Sequence, residues 1–454
     1  MLKQWRIAPV LFCLALAGAA ASAQTAQPVP LFAPAALQQD VRFLRDAINT
    51  IHPAPDLFVS DETLRKAYDR VTAQLQQPLN RDQAWRALAT LNPVFSDAHM
   101  FVGYADWKEE VRMHLAAQGA LFPYDVQVNT AGDIVIRSEL DGAASSLAGL
   151  RIESINGVPA AQVARELLAL MPGETPALRA NLLSRRMWFY YWKVFGAPSQ
   201  FDLVVAKAGG PATLRVAAST TVAALAPAAF DQTFHLAMLP DKTALLTINQ
   251  FQWPDKPAFY AFTKEAFTRM RDAGVTTLVI DIRENTGGDD DMWKTGLLPY
   301  LADRPFRNAS SYIKKVIAGR ASGVEKVGDV VRGYGDTWVA PDAGNPLFFS
   351  GKTYVLVGRL TYSSAVLFSN VMQDFGFGQL AGAGGYARAR QTGGVQNIVL
   401  PQTGLEITIP RFAVDRPSGE REPALVHPDI VLPDSPSDRM VTVNALLAHL
   451  RARR

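Results

Sequence analysis

The chain has 454 residues, of which 48% are hydrophobic and 19% are charged, so it is long enough for two or three globular domains with ordinary cores. Its formal net charge of +3 is too small to indicate a nucleic-acid-binding protein or a protein held on an anionic membrane. We therefore expect no nucleic-acid partner, and no motif in the sequence calls for a cofactor.

The first stretch of the chain predicts a secretory signal peptide over residues 1–23. Lys3 and Arg6 precede an apolar run, which ends in small residues with a cleavage site after Ala23. The run is too short for a stable membrane span, so we expect none after cleavage. The only cysteine, Cys13, is removed with the signal peptide. The sequence thus predicts a periplasmic or secreted protein that folds without disulfide bonds.

Helical patterns dominate the next part of the chain. Residues 24–34 read as a linker, and residues 35–115 as an N-terminal helical domain. Apolar residues recur at spacings of three and four from Leu37 to Ile51 and again from Leu64 to Leu75. A third helix follows, with Asn80 as its N-terminal cap.

Strand patterns take over in the second half of the chain. Residues 116–220 predict a small domain of short strands with one helix. Residues 221–454 predict an α/β core, because continuous apolar runs at 243–248, 276–282 and 353–358 alternate with helical patterns. Such runs are typical of a parallel sheet that is covered on both faces.

Two serines follow the last of these apolar runs. Ser363 and Ser364 stand between the predicted strand and a helix that ends near Gly376. At such a turn a serine hydroxyl can attack a carbonyl group, and the next backbone N–H can bind the oxyanion. Serine is also a common helix N-cap, and on this stretch alone the cap is the simpler interpretation.

Three further stretches carry chemically useful residues. In "VIDIRENTGGDDD" the paired glycines Gly287 and Gly288 let backbone amides approach a ligand, whereas the aspartates after them favour a helix N-terminus over a metal site. In "FSDAHMF" His99 lies in a short acidic loop, and an imidazole is the usual base for a serine. In "GEREPALVHPDIVLP" Glu422 precedes a turn and an apolar strand. We predict no metal.

Taken together and in this order, these stretches resemble the C-terminal processing peptidase (tail-specific protease) family of serine peptidases, and look closest to its tricorn-core-like branch. "LTYSSAVLFSNVMQDFG" is similar to the family's nucleophile turn, and "GAASSLAGLRIESINGVP" to the PDZ-like module that many members carry. The resemblance implies a ClpP/crotonase-like ββα core at residues 221–454. It also implies a PDZ-like β-rich domain at residues 116–220, after the N-terminal helical domain.

The resemblance further implies a function and a set of site residues. Ser363 would be the attacking hydroxyl group, His99 the general base and Glu422 the acid that orients the imidazole. The backbone N–H groups of Ser364 and of Gly287 or Gly288 would form the oxyanion hole. The substrate would be a peptide or a protein, cleaved through an acyl-enzyme.

One departure from the family pattern narrows the choice of base. Arg388 stands where the processing peptidases have a lysine, and arginine does not give up its proton. The prediction of a serine peptidase therefore depends on His99 as the general base. A non-catalytic peptide- or ligand-binding protein on the same scaffold is the alternative. The sequence makes no prediction about oligomeric state.

Overall fold

The computed structural model describes residues 29–453, so the predicted signal peptide lies outside the described residues. This part of the chain is a mixed α/β structure, which confirms the predicted fold class. Its α-helices are α1 (Pro34–Ile51), α2 (Asp61–Gln74), α3 (Arg81–Leu88), α4 (Asn92–Phe95), α5 (Trp107–Ala116), α6 (Ala160–Leu168), α7 (Pro176–Ser184), α8 (Met187–Phe195), α9 (Phe230–Thr233), α10 (Lys256–Asp272), α11 (Asp290–Gly296), α12 (Ser364–Asp374) and α13 (Met440–Arg451).

The strands of residues 29–453 form four sheets. They are β1 (Phe101–Tyr104), β2 (Tyr124–Val128), β3 (Ile134–Glu139), β4 (Arg151–Ile155), β5 (Val158–Pro159), β6 (Gln200–Lys207), β7 (Gly210–Ala217), β8 (Phe234–Leu239), β9 (Thr243–Ile248), β10 (Thr277–Asp281), β11 (Ser311–Lys315), β12 (Val330–Tyr334), β13 (Lys352–Val357), β14 (Gln379–Gly382), β15 (Gln391–Gly393), β16 (Gln396–Val399), β17 (Leu405–Ile409), β18 (Phe412–Val414) and β19 (Ile430–Val431).

The central sheet has the strand order β19-β14-β13-β10-β9-β8. All neighbours are parallel except β8, which runs antiparallel to β9 at one edge. In the register, Asp281 at the end of β10 lies opposite Thr247 and Leu356. Because parallel strands end at the same edge of a sheet, the loops after β10 and β13 meet there. These loops carry the predicted glycines and serines.

Both faces of the central sheet are covered, as the continuous apolar runs predict. Every residue of β9 and β10 is buried. Helices α10, α11 and α12 pack one face with large side chains such as Trp293 and Phe368, and α13 packs the other with Val443 and Leu446. Each such buried apolar side chain contributes about 1.5–3 kcal/mol, which makes the sheet a rigid base for the loops at its edge.

The N-terminal part of the chain is joined to the C-terminal part by a strand pair. Helices α1 to α4 share a hydrophobic core with the antiparallel sheet β2-β3-β4-β6-β7 and with β17. Strand β1 pairs with β17, so Val102 lies opposite Ile407. The cores therefore cross the predicted domain boundaries. As a result, the loop just before β1, which contains His99, is fixed against the C-terminal part of the protein.

Local predictions are confirmed for several elements and wrong for others. Asn80 caps α3 in a capping box with Gln83, and the Asn156-Gly157 turn has positive φ at both residues. Helices α7 and α8, however, lie where we expected short strands. The sequence of α8, "MWFYYWKVF", is rich in aromatic residues, which favour strands on intrinsic preference, but it forms a helix with five of its nine residues buried. The PDZ-like assignment of this part stays a prediction.

Another of the four sheets has the strand order β12-β11-β18-β15. Its edge strand β15 lies beside the loop that carries the two serines. This strand contributes Gln391 and Thr392 to the site described below. Among residues 29–453, no helix combines the length and the apolar character that a membrane crossing requires.

Candidate active site

Ser363 lies in a strained turn between β13 and α12. Its φ of 54° and ψ of −125° are unusual for a residue other than glycine, and such strain clusters at functional sites. The turn is held by two hydrogen bonds: Tyr362 donates its backbone N–H to the carbonyl of Asn285, and Ser363 donates its own to Gln391 Oε1. The Ser363 side chain makes no capping hydrogen bond to the helix. The helix-cap interpretation is therefore wrong for this serine.

The neighbouring serine has a structural role. Ser364 is 2% exposed, and its hydroxyl group donates to Asp290 Oδ1 at 2.6 Å and accepts from Trp293 Nε1 at 2.9 Å. This hydroxyl group thus both donates and accepts a hydrogen bond inside the core. The structure thereby distinguishes the two serines, because the hydroxyl group that faces an imidazole is that of Ser363.

The structure brings His99 to Ser363. Its Nε2 atom lies 3.0 Å from Ser363 Oγ, and its Nδ1 atom lies 3.0 Å from Thr392 Oγ1. The hydrogen-bond network assigns the proton to Nδ1, because the Thr392 hydroxyl donates elsewhere and must accept here. Nε2 is then free to accept the Ser363 proton. This is the geometry and the tautomer that a general base needs.

The carboxylate beside the imidazole belongs to Asp97, which the sequence analysis did not single out. Its Oδ2 atom accepts from Thr392 Oγ1 at 2.8 Å, and its Oδ1 atom accepts from the backbone N–H of His99 at 2.8 Å. The closest approach of the carboxylate to His99 Nδ1 is 3.8 Å. A continuous series therefore runs from Ser363 through His99 and Thr392 to Asp97. An aspartate two residues before the histidine was the available signal in the sequence.

Glu422 lies apart from the imidazole. Glu422 is exposed, and no hydrogen bond or ion pair within residues 29–453 joins it to His99. The carboxylate that faces the Nδ1 side of the ring belongs to Asp97 instead. The predicted assignment of Glu422 as the orienting acid is therefore corrected to Asp97, because a surface carboxylate cannot orient a ring that it does not contact.

Two backbone N–H groups are available for an oxyanion. Gly287 already donates its N–H to Asn285 Oδ1 at 2.8 Å. The N–H groups of Gly288 and Ser364, by contrast, have no acceptor in the part of the chain that the structure describes. The glycine turn packs directly on Ser363, since a Cβ atom at Gly287 would lie 2.7 Å from Ser363 Cβ and 2.9 Å from Ser364 N. Of the two predicted glycines, Gly288 is thus the one whose N–H group donates to no acceptor within residues 29–453.

Arg388 binds the loop that contains His99, through Ser96. Its guanidinium group donates to the backbone oxygen and the hydroxyl group of Ser96, and it lies 4.0 Å from the centroid of the Phe58 ring. Ser96 has a positive φ of 54°, so the loop turns sharply there. The arginine in the place of the family's lysine therefore tethers the loop that carries His99.

Burial and charge set the protonation states of the site. Burial lowers the pKa of His99 below its usual value, against the opposing effect of the Asp97 charge. The imidazole is thus neutral, and ready to accept a proton, at neutral pH. Burial and the nearby carboxylates of Glu174 and Asp97 raise the pKa of Tyr362 well above its usual value. Its hydroxyl group therefore stays protonated and donates to Asp97 Oδ1 at 3.3 Å.

The aspartates after the glycine pair lie at the N-terminus of α11. Asp289 caps the helix and forms an ion pair with Lys256, and Asp290 accepts from Ser364. They have the helix-capping role that we expected from the sequence. Within residues 29–453, no group of three or more histidine, cysteine or acidic side chains is arranged to hold a metal ion.

The fold and the site together define an α/β protein in which a serine contacts a histidine, and a threonine hydroxyl group connects that histidine to a buried carboxylate. Solved structures share this fold. A mutant of CPAF is 15% identical with a TM-score of 0.65 and covers 92% of this chain and 96% of its own. Mature CPAF complexed with lactacystin is 17% identical with a TM-score of 0.62 and covers 92% and 97%. A search of curated protein sequences finds no match to the chain.

The family assignment comes from the sequence of the α/β core. Residues 242–432 match the model of Peptidase family S41, so the chain carries a domain of this peptidase family. The matched range includes the central strands β9, β10 and β13 and the turn at Ser363. The resemblance to a serine peptidase family is thereby confirmed for this domain, and the expected substrate class is peptide or protein.

Proposed function

We propose that this chain is a serine peptidase that hydrolyses peptide bonds through an acyl-enzyme on Ser363. The observation that carries the proposal is the 3.0 Å contact between Ser363 Oγ and His99 Nε2, in a turn whose backbone is strained. A buried carboxylate stands behind the imidazole, connected to it by a single hydroxyl group. A structural serine would have no need for this series.

The geometry supports a specific order of proton transfers. His99 Nε2 takes the Ser363 proton as Oγ attacks the substrate carbonyl carbon. The imidazolium that forms donates from Nδ1 to Thr392, and Asp97 stabilises its positive charge at 3.8 Å. The N–H groups of Ser364 and Gly288 bind the oxyanion. His99 then protonates the leaving amine, and later activates the water molecule that hydrolyses the ester.

We further propose that the protein is exported to the periplasm or secreted. The proposal is based on the signal-peptide pattern of residues 1–23. Cleavage after Ala23 can be tested by N-terminal sequencing of the protein recovered from an expressing bacterial cell.

Turnover of a peptide library, read by mass spectrometry, tests the proposed activity. We expect new peptide termini with the wild-type protein and none with Ser363→Ala. Ser364→Ala is the matched control: it removes the neighbouring hydroxyl group, so it should keep the cleavage sites and lose stability. Peptide binding without cleavage by the wild-type protein would contradict the proposal and favour a binding protein on the same scaffold.

A further inference from the structure

Tyr362 extends from the turn that carries Ser363 into the loop that contains His99. It directly precedes Ser363 and is 6% exposed. Its backbone N–H donates to the carbonyl of Asn285 at 3.1 Å, so its main chain is fixed in the turn. Its hydroxyl group, by contrast, contacts residues that lie 264 and 265 positions earlier in the chain. This one residue therefore belongs to both parts of the site.

The Tyr362 hydroxyl group makes two hydrogen bonds in the His99 loop. It accepts from the backbone N–H of Ala98 at 3.2 Å, and it donates to Asp97 Oδ1 at 3.3 Å. The same Asp97 oxygen accepts from the backbone N–H of His99 at 2.8 Å. The hydroxyl group therefore holds the backbone of the loop both directly and through the carboxylate.

The phenol ring of Tyr362 lies against the imidazole of His99. The ring centroids are 4.8 Å apart, and the ring planes are inclined by 39°. This separation is typical of favourable aromatic pairs. The ring and the hydroxyl group of Tyr362 thus contact three consecutive residues of the loop, which are Asp97, Ala98 and His99.

Few hydrogen bonds join the His99 loop directly to the Ser363 turn. Arg388 and Thr392 bind the loop from other parts of the chain. Among the hydrogen bonds of residues 29–453, those that run from the loop to the turn are the two of the Tyr362 hydroxyl group and the one between His99 and Ser363. Apart from the reacting pair itself, Tyr362 is thus the hydrogen-bonded link between loop and turn.

The separation of loop and turn decides whether a proton can be transferred. Ser363 Oγ and His99 Nε2 are 3.0 Å apart, and proton transfer needs about 2.6–3.2 Å between these atoms. A displacement of about 1 Å can lower the rate of an enzyme about a hundredfold. A contact that fixes the loop against the turn therefore bears on the rate.

We propose that Tyr362 is a positioning residue, whose hydroxyl group holds the His99 loop against the Ser363 turn and so keeps the imidazole within proton-transfer distance of the Ser363 hydroxyl group. The inference rests on the proposed function of Ser363 and His99. It gives the residue before the attacking serine a role through its side chain, in addition to its place in the turn.

Tyr362→Phe tests the inference, because it removes the hydroxyl group and keeps the ring against His99. We expect kcat for a cleaved peptide to fall about ten- to a hundredfold, with less than about a twofold change in KM. Tyr104→Phe is the matched control, since Tyr104 is also buried and its hydroxyl group donates to the Asp82 carboxylate at 2.8 Å. This control should lose thermal stability and keep its kcat. An unchanged kcat in Tyr362→Phe, or an equal fall in both variants, would overturn the proposal.

A second background separates positioning from a general loss of stability. Because the hydroxyl group acts through the imidazole, Tyr362→Phe should lower the rate constant of Ser363 acylation by a fluorophosphonate in the wild type and leave it unchanged in His99→Ala. A substitution that only weakened the turn or the fold would lower both rate constants by the same factor. That result would contradict positioning through His99.

Amide hydrogen exchange tests the link between loop and turn without catalysis. The backbone N–H of Ala98 loses its acceptor in Tyr362→Phe, so we expect the amides of Ala98 and His99 to exchange faster than in the wild type. Tyr104→Phe should leave these two amides unchanged. Unchanged exchange in Tyr362→Phe contradicts the Tyr362 inference, whereas absent acylation of the wild type contradicts the proposed function alone.

Discussion

The Ser363 turn and the His99 loop are built in opposite ways. The turn is set by its own backbone: β13 delivers it to the edge of the central sheet, α12 follows at once, and Asn285 and Gln391 hold it by hydrogen bonds. The loop lies between the short helix α4 and the strand β1. Its position depends on side chains from far along the chain, since Arg388 binds Ser96 over a separation of 292 residues.

This difference has a consequence for how the site can fail. Changes at the turn act on the nucleophile or on the oxyanion donors directly. Changes around the loop act through the position and the charge of His99, and leave Ser363 where it is. Substitutions in the two regions should therefore differ in how they change kcat, KM and the pH profile.

The largest effect is expected from His99→Ala. Without an imidazole the Ser363 hydroxyl group has no base, so kcat/KM should fall by about four orders of magnitude or more. Steady-state hydrolysis of a cleaved peptide measures this. Adding Ser363→Ala should lower kcat/KM little further, because the two residues act as a unit.

A lysine at position 388 should not replace the missing imidazole. Since Arg388 contacts Ser96 and not Ser363, Arg388→Lys should fail to restore activity to His99→Ala. Restored activity would mean that a lysine can be the base.

Asp97→Asn should lower kcat by about two to four orders of magnitude. The neutral amide cannot stabilise the imidazolium by its charge. It also has a single acceptor oxygen, whereas the two oxygens of Asp97 accept from Thr392, from the His99 backbone N–H and from Tyr362. Glu422→Gln is the matched control, and we expect less than a twofold change because Glu422 is exposed and does not contact His99. If the two variants exchanged these results, Glu422 and not Asp97 would be the acid.

Gly287→Ala should reduce kcat by about two to three orders of magnitude and lower stability. Its φ of 100° disfavours a side chain, and the new Cβ atom would press on Ser363 Cβ. Gly149→Ala provides the control, since Gly149 has a φ of 84° and open space around it. We expect that control to lower the free energy of unfolding by about 1–2 kcal/mol and to leave kcat unchanged. Equal kcat values for the two variants would contradict a role of the glycine turn in the active site.

The smallest effect is expected from Thr392→Val, which removes the hydroxyl group between His99 and Asp97. We expect kcat to fall about ten- to a hundredfold with little change in KM, because the substrate does not contact this hydroxyl group in the proposed mechanism. Thr392→Ser should recover most of the rate. A full loss in Thr392→Ser as well would indicate that the side chain has a packing role.

The sequence predicts the turn better than the loop for a physical reason. The runs that form β9, β10 and β13 are recognisable because both faces of the sheet are buried, and a strand-to-helix turn with serines follows locally. The partners of His99 are not local. Thr392 is 293 residues away, and no periodicity indicates that β15 ends beside the histidine loop.

Two errors show where local reasoning stops. Helix α8 was missed because its aromatic residues favour strands intrinsically, whereas burial against the core decides its structure. Glu422 was assigned through a resemblance in sequence order, which does not fix the direction of a side chain. Asp97 stood two residues from His99, but only the fold shows that its carboxylate and the ring share Thr392.

The acid side of the pH profile tests the central claim most directly. The rate of Ser363 acylation by a fluorophosphonate should fall below a single apparent pKa that lies under the 6.5 of a free imidazole, because burial disfavours the protonated ring. His99→Ala should acylate slowly and without this dependence. A wild-type rate that falls with an apparent pKa above 6.5, or one that His99→Ala leaves unchanged, would contradict the activation of Ser363 by His99 as a buried neutral base.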